Sequence, residues 1–208
     1  MGRLLERVFP KLSRTQRTII DWIVTLAVAV LIVLGLKAWV VNPYKIPSSS
    51  MEPTLHCGRP GPGCEAGHSD RVLADRLIYH FRDPKRFEIV VFHAPRRAEL
   101  ECPGGGGVYV KRIIGVPGDR WAESDGYIYI DGKRLREPYV RPARRDHRSY
   151  RLSDLIPGAT RIPKGEFLML GDNRTQSCDS RIWGPVERSE IIGEVFVTYW
   201  PLGRIATH

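Results

Sequence analysis

The stretch WIVTLAVAVLIVLGLKAWVVNPYKIPSSSMEPTL, residues 22–55, joins the two features that determine the architecture of this chain. Its first part, residues 22–41, is apolar except for Thr25 and Lys37, and a helix needs ~20 such residues to cross the core of a bilayer. Its second part carries the serine cluster Ser48–Ser50 shortly after the apolar run ends. Serines so close to a bilayer indicate a nucleophile whose substrate is also at the membrane.

The apolar run is interpreted as an uncleaved membrane anchor. Trp22 and Trp39 bracket it, as interfacial anchors do, and Lys37 lies close enough to the far end for its charge to reach the headgroups. A cleaved secretory signal is one alternative, but the charged region before the run is long, and residues 37–41 offer no small-x-small cleavage site. A buried core helix is another, but such a helix is seldom apolar on every face.

Charge asymmetry predicts the orientation of the anchor. Residues 1–21 carry five basic side chains against two acidic ones, whereas only Lys37 and Lys45 flank the far end of the run. Basic flanks remain in the cytoplasm. We therefore expect a single-pass protein of the cell membrane, with a cytoplasmic basic segment (residues 1–21), a transmembrane anchor (residues 22–41) and an extracytoplasmic catalytic domain (residues 42–208).

The composition suits one domain behind such an anchor. The chain has 208 residues and a net charge of +9, an excess that could attract nucleic acid. However, the basic residues form no stripe interleaved with aromatic side chains, and the sequence contains no zinc-finger or RNP-type motif. We expect no nucleic-acid partner, and we assign the positive charge to attraction for anionic membrane lipid.

Past the anchor, the pattern predicts strands. Segment 70–81 alternates between apolar and polar residues, and several shorter segments alternate or are continuously apolar between turn signals. These are residues 89–92, 108–116, 127–130, 167–170 and 195–200. Because helical periodicity is hard to find here, we predict a mainly β, partly closed antiparallel barrel-like domain. Residues 120–165 are expected to be a variable excursion, with the polar and basic residues 138–163 on the surface.

Four cysteines lie in the predicted outer domain, where the compartment permits disulfides. Cys57 and Cys64 bracket a loop rich in glycine and proline and are the natural pair. The pairing of Cys102 stays open. A zinc site built from Cys57, Cys64 and His68 is conceivable, but its spacing matches no standard ligand pattern, so we expect no metal.

A serine nucleophile requires a base that takes its proton. None of the six histidines lies in a recognisable Ser-His-Asp context. Lys111 is the other candidate, because it lies in an apolar strand, where burial would lower the pKa of its amine and leave it neutral near physiological pH. On local sequence alone, a lysine that points outward into solvent is the more ordinary interpretation.

Three motifs in a fixed order change that interpretation. They are SMEPTL (residues 50–55), YVKRIIGVPGD (residues 109–119) and GDNRTQSCDSRIWG (residues 171–184). Together, behind an N-terminal apolar segment, they resemble type I (leader) signal peptidases, and the resemblance extends over roughly residues 22–200. The short interval between the second and third motifs is similar to the compact single-anchor form of Gram-positive-type bacteria.

The resemblance implies a Ser–Lys mechanism and assigns roles within it. Ser50 matches the nucleophile, and Lys111 matches the general base. The Ser48 hydroxyl, together with the Ser50 backbone N–H, matches the oxyanion hole, and the Ser177 hydroxyl matches the group that orients the lysine. No metal or organic cofactor is implied, so we expect none.

The third motif also implies structural residues. Asp179 matches a structural carboxylate, which we expect to pair with Arg112 or Arg181. Cys178 stands where a small residue is common in the family. Cys178 lies between Ser177 and Asp179, and a disulfide at this position would risk distorting the site. We therefore expect Cys178 to stay reduced.

These observations predict a membrane-anchored serine endopeptidase that removes N-terminal signal peptides from exported preproteins after a small-x-small site. Two alternatives remain open. Self-cleaving repressors also use a Ser–Lys pair, but they are soluble and carry a DNA-binding domain. A membrane-anchored β-domain that binds partners without chemistry would not react with serine-directed reagents at Ser50.

Overall fold

The chain divides into two compact units, with the boundary between Val41 and Asn42. The computed structural model describes residues 13–102 and 106–208, without the side chains of residues 36–39. Most of the predicted cytoplasmic segment, and the predicted positions of the Lys37 and Trp39 side chains, therefore lie outside the described residues.

The first unit contains one long helix, α1 (Arg14–Trp39). A capping box starts it, because Ser13 Oγ accepts the Gln16 N–H and Gln16 Oε1 accepts the Ser13 N–H. Its apolar side chains are exposed, with Trp22 73% exposed. By length and composition, Arg14–Gly35 is the one helical segment of the described chain that could cross a membrane.

The second unit is mainly β, with short helices between the strands. In chain order, its described strands are β1 (Val41–Lys45), β2 (Arg71–Asp75), β3 (Ile89–His93), β4 (Val108–Gly115), β5 (Trp121–Ser124), β6 (Tyr127–Ile130), β7 (Lys133–Arg134), β8 (Tyr150–Arg151), β9 (Glu166–Leu170), β10 (Val186–Glu187), β11 (Ile191–Trp200) and β12 (Ala206–Thr207). The short helices are α2 (Ile78–Phe81), α3 (Arg96–Glu101), α4 (Leu152–Leu155) and α5 (Ser180–Trp183).

Two sheets organise these strands. The large sheet has the order β1-β2-β11-β3-β4-β9-β10, with β12 added to β11, and the small sheet has the order β7-β6-β5-β8. The ladders from β2 through β11, β3, β4 and β9 to β10 are antiparallel. The edge strands of the large sheet, β1 and β10, do not pair with each other, so the sheet does not close into a complete barrel. The prediction of a mainly β, partly closed domain is confirmed.

Strand β4 lies between β3 and β9 and carries the second motif. In its ladders, Lys111 pairs with Val90, and Arg112 pairs with Leu170. Residues 111–115 are all buried. A strand covered on both faces reads as a continuous apolar run, and an ionisable residue within it is therefore enclosed by the core.

The small sheet corrects the prediction of a surface excursion. Its apolar side chains pack with those of β4 and β9 in one core cluster, which contains Ile114, Trp121, Ile128, Leu152, Leu155, Ile162, Leu168 and Leu170. The expectation that residues 138–163 lie on the surface is wrong at their apolar positions. A few isolated apolar residues therefore attach this polar segment to the core, while residues 141–149 remain exposed or half-buried.

The alternating segment 70–81 is a strand only as far as Asp75. The Asp75 Oδ1 accepts the backbone N–H groups of Leu77 and Ile78 and thereby starts helix α2. An aspartate that binds the backbone two and three residues ahead offers it an alternative to the sheet ladder. The prediction of one strand over 70–81 is therefore wrong in its second half.

Candidate active site

Ser50 lies in a single helical turn, Ser49–Met51, that follows the end of β1. The turn is held in place by Met51, whose side chain is buried and whose carbonyl accepts the Leu55 N–H at 2.9 Å. Ser50 is 7% exposed, and its Oγ lies 3.2 Å from the Ser48 Oγ. The two serines that the sequence analysis assigned to the nucleophile and the oxyanion hole are thus brought together.

Lys111 projects from β4 into the protein toward this turn. It is 2% exposed, and its Nζ lies 2.5 Å from the Ser50 Oγ. The local sequence alone favoured a side chain that points outward into solvent, whereas the structure places it inside, as the family resemblance implied. Because Ser50 and Lys111 belong to separate strands and turns, the distance between them is a result of the fold.

Burial shifts the protonation equilibrium of Lys111. Removal from water lowers the pKa of its amine from 10.5 to about 8. The carboxylates of Asp179 and Asp172 oppose this shift, and the Arg181 guanidinium adds to it. A substantial share of the amine is therefore neutral at slightly alkaline pH and has a lone pair available for a proton.

The loop after β9 holds the backbone of Ser50. The Asn173 N–H donates to the Ser50 carbonyl at 3.1 Å, and the Asn173 Nδ2 donates to the Ser49 carbonyl at 3.0 Å. Gly171 makes this approach possible, since a Cβ at that position would lie 2.4 Å from the Ser50 carbonyl oxygen and 2.3 Å from the Ser177 Oγ. The loop thus supports the nucleophile directly.

Arg112 is bound by Asp172 and not by Asp179. The guanidinium donates to both carboxylate oxygens of Asp172, at 2.9 and 2.7 Å, and to the Phe87 carbonyl at 2.8 Å. Thr54 completes the group by donating its hydroxyl to Asp172 at 2.5 Å. This network ties the segment after Ser50 to the residue that follows the catalytic lysine candidate on β4.

Asp179 pairs with Arg181, which is one of the two partners that the sequence suggested. The guanidinium contacts its oxygens at 2.8 and 2.9 Å, and the Gly171 N–H donates to Asp179 at 3.1 Å. Burial alone would raise the pKa of Asp179, but the Arg181 cation outweighs it and holds that pKa below its ordinary value.

Ser177, the predicted lysine-orienting residue, is buried behind Gly171. Within the described residues, its hydroxyl makes no hydrogen bond of regular geometry, to Lys111 or to any other group. The hydroxyl acts on Asp179, whose pKa it helps to lower. The orienting role of Ser177 stays a prediction.

Two buried carboxylates of the small-sheet region pair with arginines of the third motif, and no motif pointed to either. Glu137 forms an ion pair with Arg174, and Glu123 lies 3.6 Å from Arg181. Burial raises the pKa of Glu123 to about 7, although Arg181 and Arg174 oppose that shift. Their only signal in the sequence is the presence of acidic residues in a segment rich in arginine.

The cysteines correct one expectation. Cys57 is bonded to Cys64, with Cα atoms 5.1 Å apart, and Cys102 is bonded to Cys178, with Cα atoms 5.9 Å apart. The expectation that Cys178 stays reduced is therefore wrong. Its side chain packs on the core cluster that contains Trp183, and neither cysteine of this bond lines the cleft beside Ser50.

One group of side chains in the described chain could approach a cation. The ligand atoms of Glu52, His56 and Glu65 lie within 4.8 Å of one another. However, Glu65 already pairs with Arg144 and Arg141, which supply its counter-charge. The alternative zinc set is excluded, because two of its three members are joined in a disulfide and offer no thiolate.

An open cleft of ≈ 290 Å³ ends at the Ser50–Lys111 contact. One wall is formed by residues 44–48 at the end of β1, and the other by residues 108–111 of β4 together with Gly106. An extended peptide between two such segments has strand backbone on both sides, and its side chains enter the cleft alternately.

The comparisons with known proteins agree with the geometry. A family model described as signal peptidase, peptidase S26, matches residues 19–200. The chain is 36% identical over 196 residues to a probable signal peptidase I-2 of Synechocystis, covering 94% of this chain and 79% of that protein. It is also 36% identical over 184 residues to a signal peptidase I of Bacillus caldolyticus, covering 86% of this chain and 90% of that protein.

A crystal structure of a signal peptidase I from Enterococcus faecalis is also similar to this chain. It is 31% identical, with a TM-score of 0.46, and the match covers 55% of this chain and 97% of the other.

A serine hydroxyl beside a buried amine, at the end of a peptide-sized cleft, is typical of hydrolytic enzymes that use a serine nucleophile. Together with the family match over most of its length, this defines a serine endopeptidase. The chain belongs to the signal peptidase family, peptidase S26, whose members cleave signal peptides from exported preproteins. The alternatives of a self-cleaving repressor and of a non-catalytic binding domain are therefore set aside.

Proposed function

We propose that this protein is a membrane-anchored signal peptidase that cleaves exported preproteins after a small-x-small site, with Ser50 as nucleophile and neutral Lys111 as general base. One observation carries the assignment of these two residues. The 2.5 Å contact between Lys111 Nζ and Ser50 Oγ joins a buried amine of lowered pKa to a hydroxyl at the end of the cleft. A base must lie within hydrogen-bond reach of the proton that it removes, and this pair satisfies that requirement.

In the first half of the reaction, the Ser50 Oγ attacks the scissile carbonyl while its proton passes to the lone pair of Lys111. The negative charge that develops on the carbonyl oxygen is stabilised by the Ser48 hydroxyl and the Ser50 N–H. When the tetrahedral intermediate collapses, the C–N bond breaks and the Lys111 ammonium returns the proton to the leaving amine. The signal peptide is then held on Ser50 as an ester.

In the second half, a water molecule attacks the ester carbonyl and gives a proton to Lys111. Collapse breaks the bond to Oγ, which recovers the proton, and the enzyme returns to its starting state. These steps require no metal or organic cofactor. Ser177 and the pair of Asp179 with Arg181 are proposed to keep the lysine in position throughout.

The cleft supports a substrate with small side chains next to the cleaved bond. Its volume of ≈ 290 Å³ is at the lower end of ligand pockets and is shared along several residues of an extended peptide. Tyr44 and Tyr109 stand on opposite walls and restrict the room for substrate side chains. Alanine-sized residues at positions −1 and −3 fit such a cleft best.

We propose that helix α1 anchors the enzyme in the cell membrane, with residues 1–21 in the cytoplasm, residues 22–41 in the bilayer and residues 42–208 outside. The exposed apolar side chains of the helix would contact lipid, and the basic residues before it would remain on the cytoplasmic side. In this arrangement, the enzyme and the apolar part of its substrate share one membrane. The partners are exported preproteins and membrane lipid, with no nucleic acid.

The test uses the purified full-length protein in detergent micelles with a preprotein substrate. We expect one cleavage, after a small-x-small site, when the new N-terminus of the product is sequenced. The matched Ser50→Ala protein should yield no product. A Ser50→Ala protein that cleaves at the normal rate would overturn the assignment of the nucleophile.

A second experiment tests the topology. Protease added to intact spheroplasts should digest the chain beyond Asn42, whereas an N-terminal tag should be protected until the membrane is opened. Detergent-lysed spheroplasts show whether the folded domain itself resists the protease. Protection of the domain in spheroplasts and digestion after lysis would reverse the proposed orientation.

A further inference from the structure

Arg174 is a fully buried cation next to the proposed catalytic turn. Its Nε donates to the Gly171 carbonyl at 2.9 Å, and its Nη2 contacts the Glu137 carboxylate. An ion removed from water requires a counter-charge and further hydrogen bonds, because an unpaired buried charge strongly destabilises the fold. Glu137 supplies that counter-charge and raises the pKa of Arg174 against the effect of burial.

Glu137 reaches this loop from a different part of the fold. It follows β7 of the small sheet, and it is itself buried. The Tyr139 hydroxyl donates to its Oε1 at 3.3 Å, and Arg145 contacts its Oε2 at 3.3 Å. These contacts hold the carboxylate in one place, so that it constrains Arg174 and does not simply follow it.

The position of Arg174 affects the serine through the neighbouring residue. Asn173 donates its N–H to the Ser50 carbonyl and its side-chain amide to the Ser49 carbonyl. Arg174 fixes the same loop at its start through the Gly171 carbonyl, and its own carbonyl accepts from Arg181 at 2.8 Å. If Arg174 left its site to regain a counter-charge or water, the loop would withdraw these contacts from the Ser50 backbone.

We propose that Glu137 is a positioning residue of the active site, whose carboxylate neutralises Arg174 and thereby holds the loop of residues 171–174 against the backbone of Ser50. This inference rests on the proposed Ser50–Lys111 mechanism. Glu137 does not line the cleft, so it acts on the geometry of the chemical step and not on substrate binding. A displacement of about 1 Å at a reacting group costs about 100-fold in rate.

Glu123 provides a contrast within the same cluster. Its distance to Arg181 is 3.6 Å, and Arg181 is also held by Asp179 and Asp146 at 2.8 and 3.2 Å. The loss of one of several carboxylates leaves Arg181 neutralised. We therefore expect Glu123→Gln to reduce kcat much less than Glu137→Gln.

The experiment compares Glu137→Gln with a matched control, Glu88→Gln. Glu88 also pairs with an arginine, Arg82, and accepts the hydroxyl of a tyrosine, Tyr79, but the contacts of this pair do not reach the loop of residues 171–174. We expect Glu137→Gln to lower kcat by about 100-fold with KM changed less than about threefold. Glu88→Gln should lower the melting temperature while its kcat per folded molecule stays within twofold.

A charge-removal rescue tests whether the unpaired charge of Arg174 causes the loss of kcat. The double variant Glu137→Gln with Arg174→Gln carries no buried charge at the pair and leaves an amide donor for the Gly171 carbonyl. It should be at least tenfold more active than Glu137→Gln alone, and it keeps the inference testable if the single variant does not fold. A double variant no more active than the single one would overturn the inference.

The outcomes distinguish this inference from the proposed function. If Glu137→Gln keeps its kcat within twofold while Ser50→Ala is inactive, Glu137 has no positioning role and the proposed function stands. If Ser50→Ala remains active, the proposed function itself fails. Equal losses of kcat in Glu137→Gln and Glu88→Gln would also overturn the inference, since the effect would then be one of folding.

Discussion

The reaction rate should rise with pH through the pKa of Lys111. Burial holds that pKa at about 8, against 10.5 for a lysine in water. The difference corresponds to about 3 kcal/mol in favour of the neutral amine. If only the neutral amine accepts the Ser50 proton, its fraction at pH 7 is about one tenth, and at pH 9 it is about nine tenths. Between these two values, kcat/KM should therefore increase about tenfold.

The assay is kcat/KM for a peptide that contains a small-x-small site, measured from pH 6 to pH 10 at constant ionic strength. This ratio reports the groups that titrate in the free enzyme. The peptide should contain no group that titrates in this range. Circular dichroism at each pH shows whether the protein remains folded over the whole profile.

Lys111→Arg is the informative control, because a guanidinium stays charged throughout and should support no turnover at any pH. A rate that is flat between pH 7 and pH 9 would rule out a base with a pKa of about 8, since the base would then already be neutral at pH 7. A rise centred near pH 6.5 would point to a histidine. That result would support a Ser-His-Asp arrangement, in which a histidine is the base, instead of the Ser–Lys pair.

Three further predictions follow from the site and the disulfides. Lys111→Met should be inactive, but below pH 8 its free energy of unfolding should be higher than that of the wild type by up to about 3 kcal/mol, because the wild-type fold buries a charged amine there. This gain in stability should vanish as the pH rises toward 10.5. Denaturant titrations at pH 6 and pH 10 measure it. Ser48→Ala should lower kcat by about 10²–10³-fold with little change in KM, as measured by steady-state kinetics, if its hydroxyl is an oxyanion donor. The double variant Cys102→Ser with Cys178→Ser should lose ~4.5 kcal/mol of unfolding free energy in the chain-entropy picture, about twice the loss for Cys57–Cys64, because the closed loop spans 76 residues against 7; equal losses in urea titrations would contradict it.

Strands and turns with strong local signals were predictable from the sequence. The continuous apolar run before Gly171 is strand β9, and residues 127–130 are strand β6. The hairpin signal Asp131-Gly132 is a turn in which both residues have positive φ, 49° and 79°, as a two-residue hairpin of the I′ type requires. In each case, the local pattern (an apolar run, an alternation of polar and apolar residues, or an Asp-Gly pair) is compatible with only one kind of secondary structure.

The orientation of Lys111 could not be derived from its surroundings. In a strand covered on both faces, alternation does not distinguish inside from outside, because both sets of positions are apolar. Only the similarity to a known family indicated that its side chain points inward. The partner of Asp179 was left open between Arg112 and Arg181 for a related reason, since the choice depends on where the loop folds back.

Glu137 could not have been identified at all from local sequence. Its partner Arg174 is 37 residues away, and the contact exists only because the small sheet packs on the same core cluster as β9. The composition of residues 120–165 indicated a polar excursion. Its average polarity gave no sign of the few carboxylates and apolar residues that are buried and attach the segment to the core. Such contacts between distant segments are determined by topology, which no local pattern contains.

The bond between Cys102 and Cys178 has a consequence for biosynthesis. It encloses strand β4, the small sheet and strand β9, so its two sulfur atoms meet once β4 and β9 have been placed side by side. The presence of this disulfide in a molecule therefore indicates that strands β4 and β9 have paired. Thiol alkylation followed by mass measurement would therefore count, in a growing cell, the molecules in which this bond has formed.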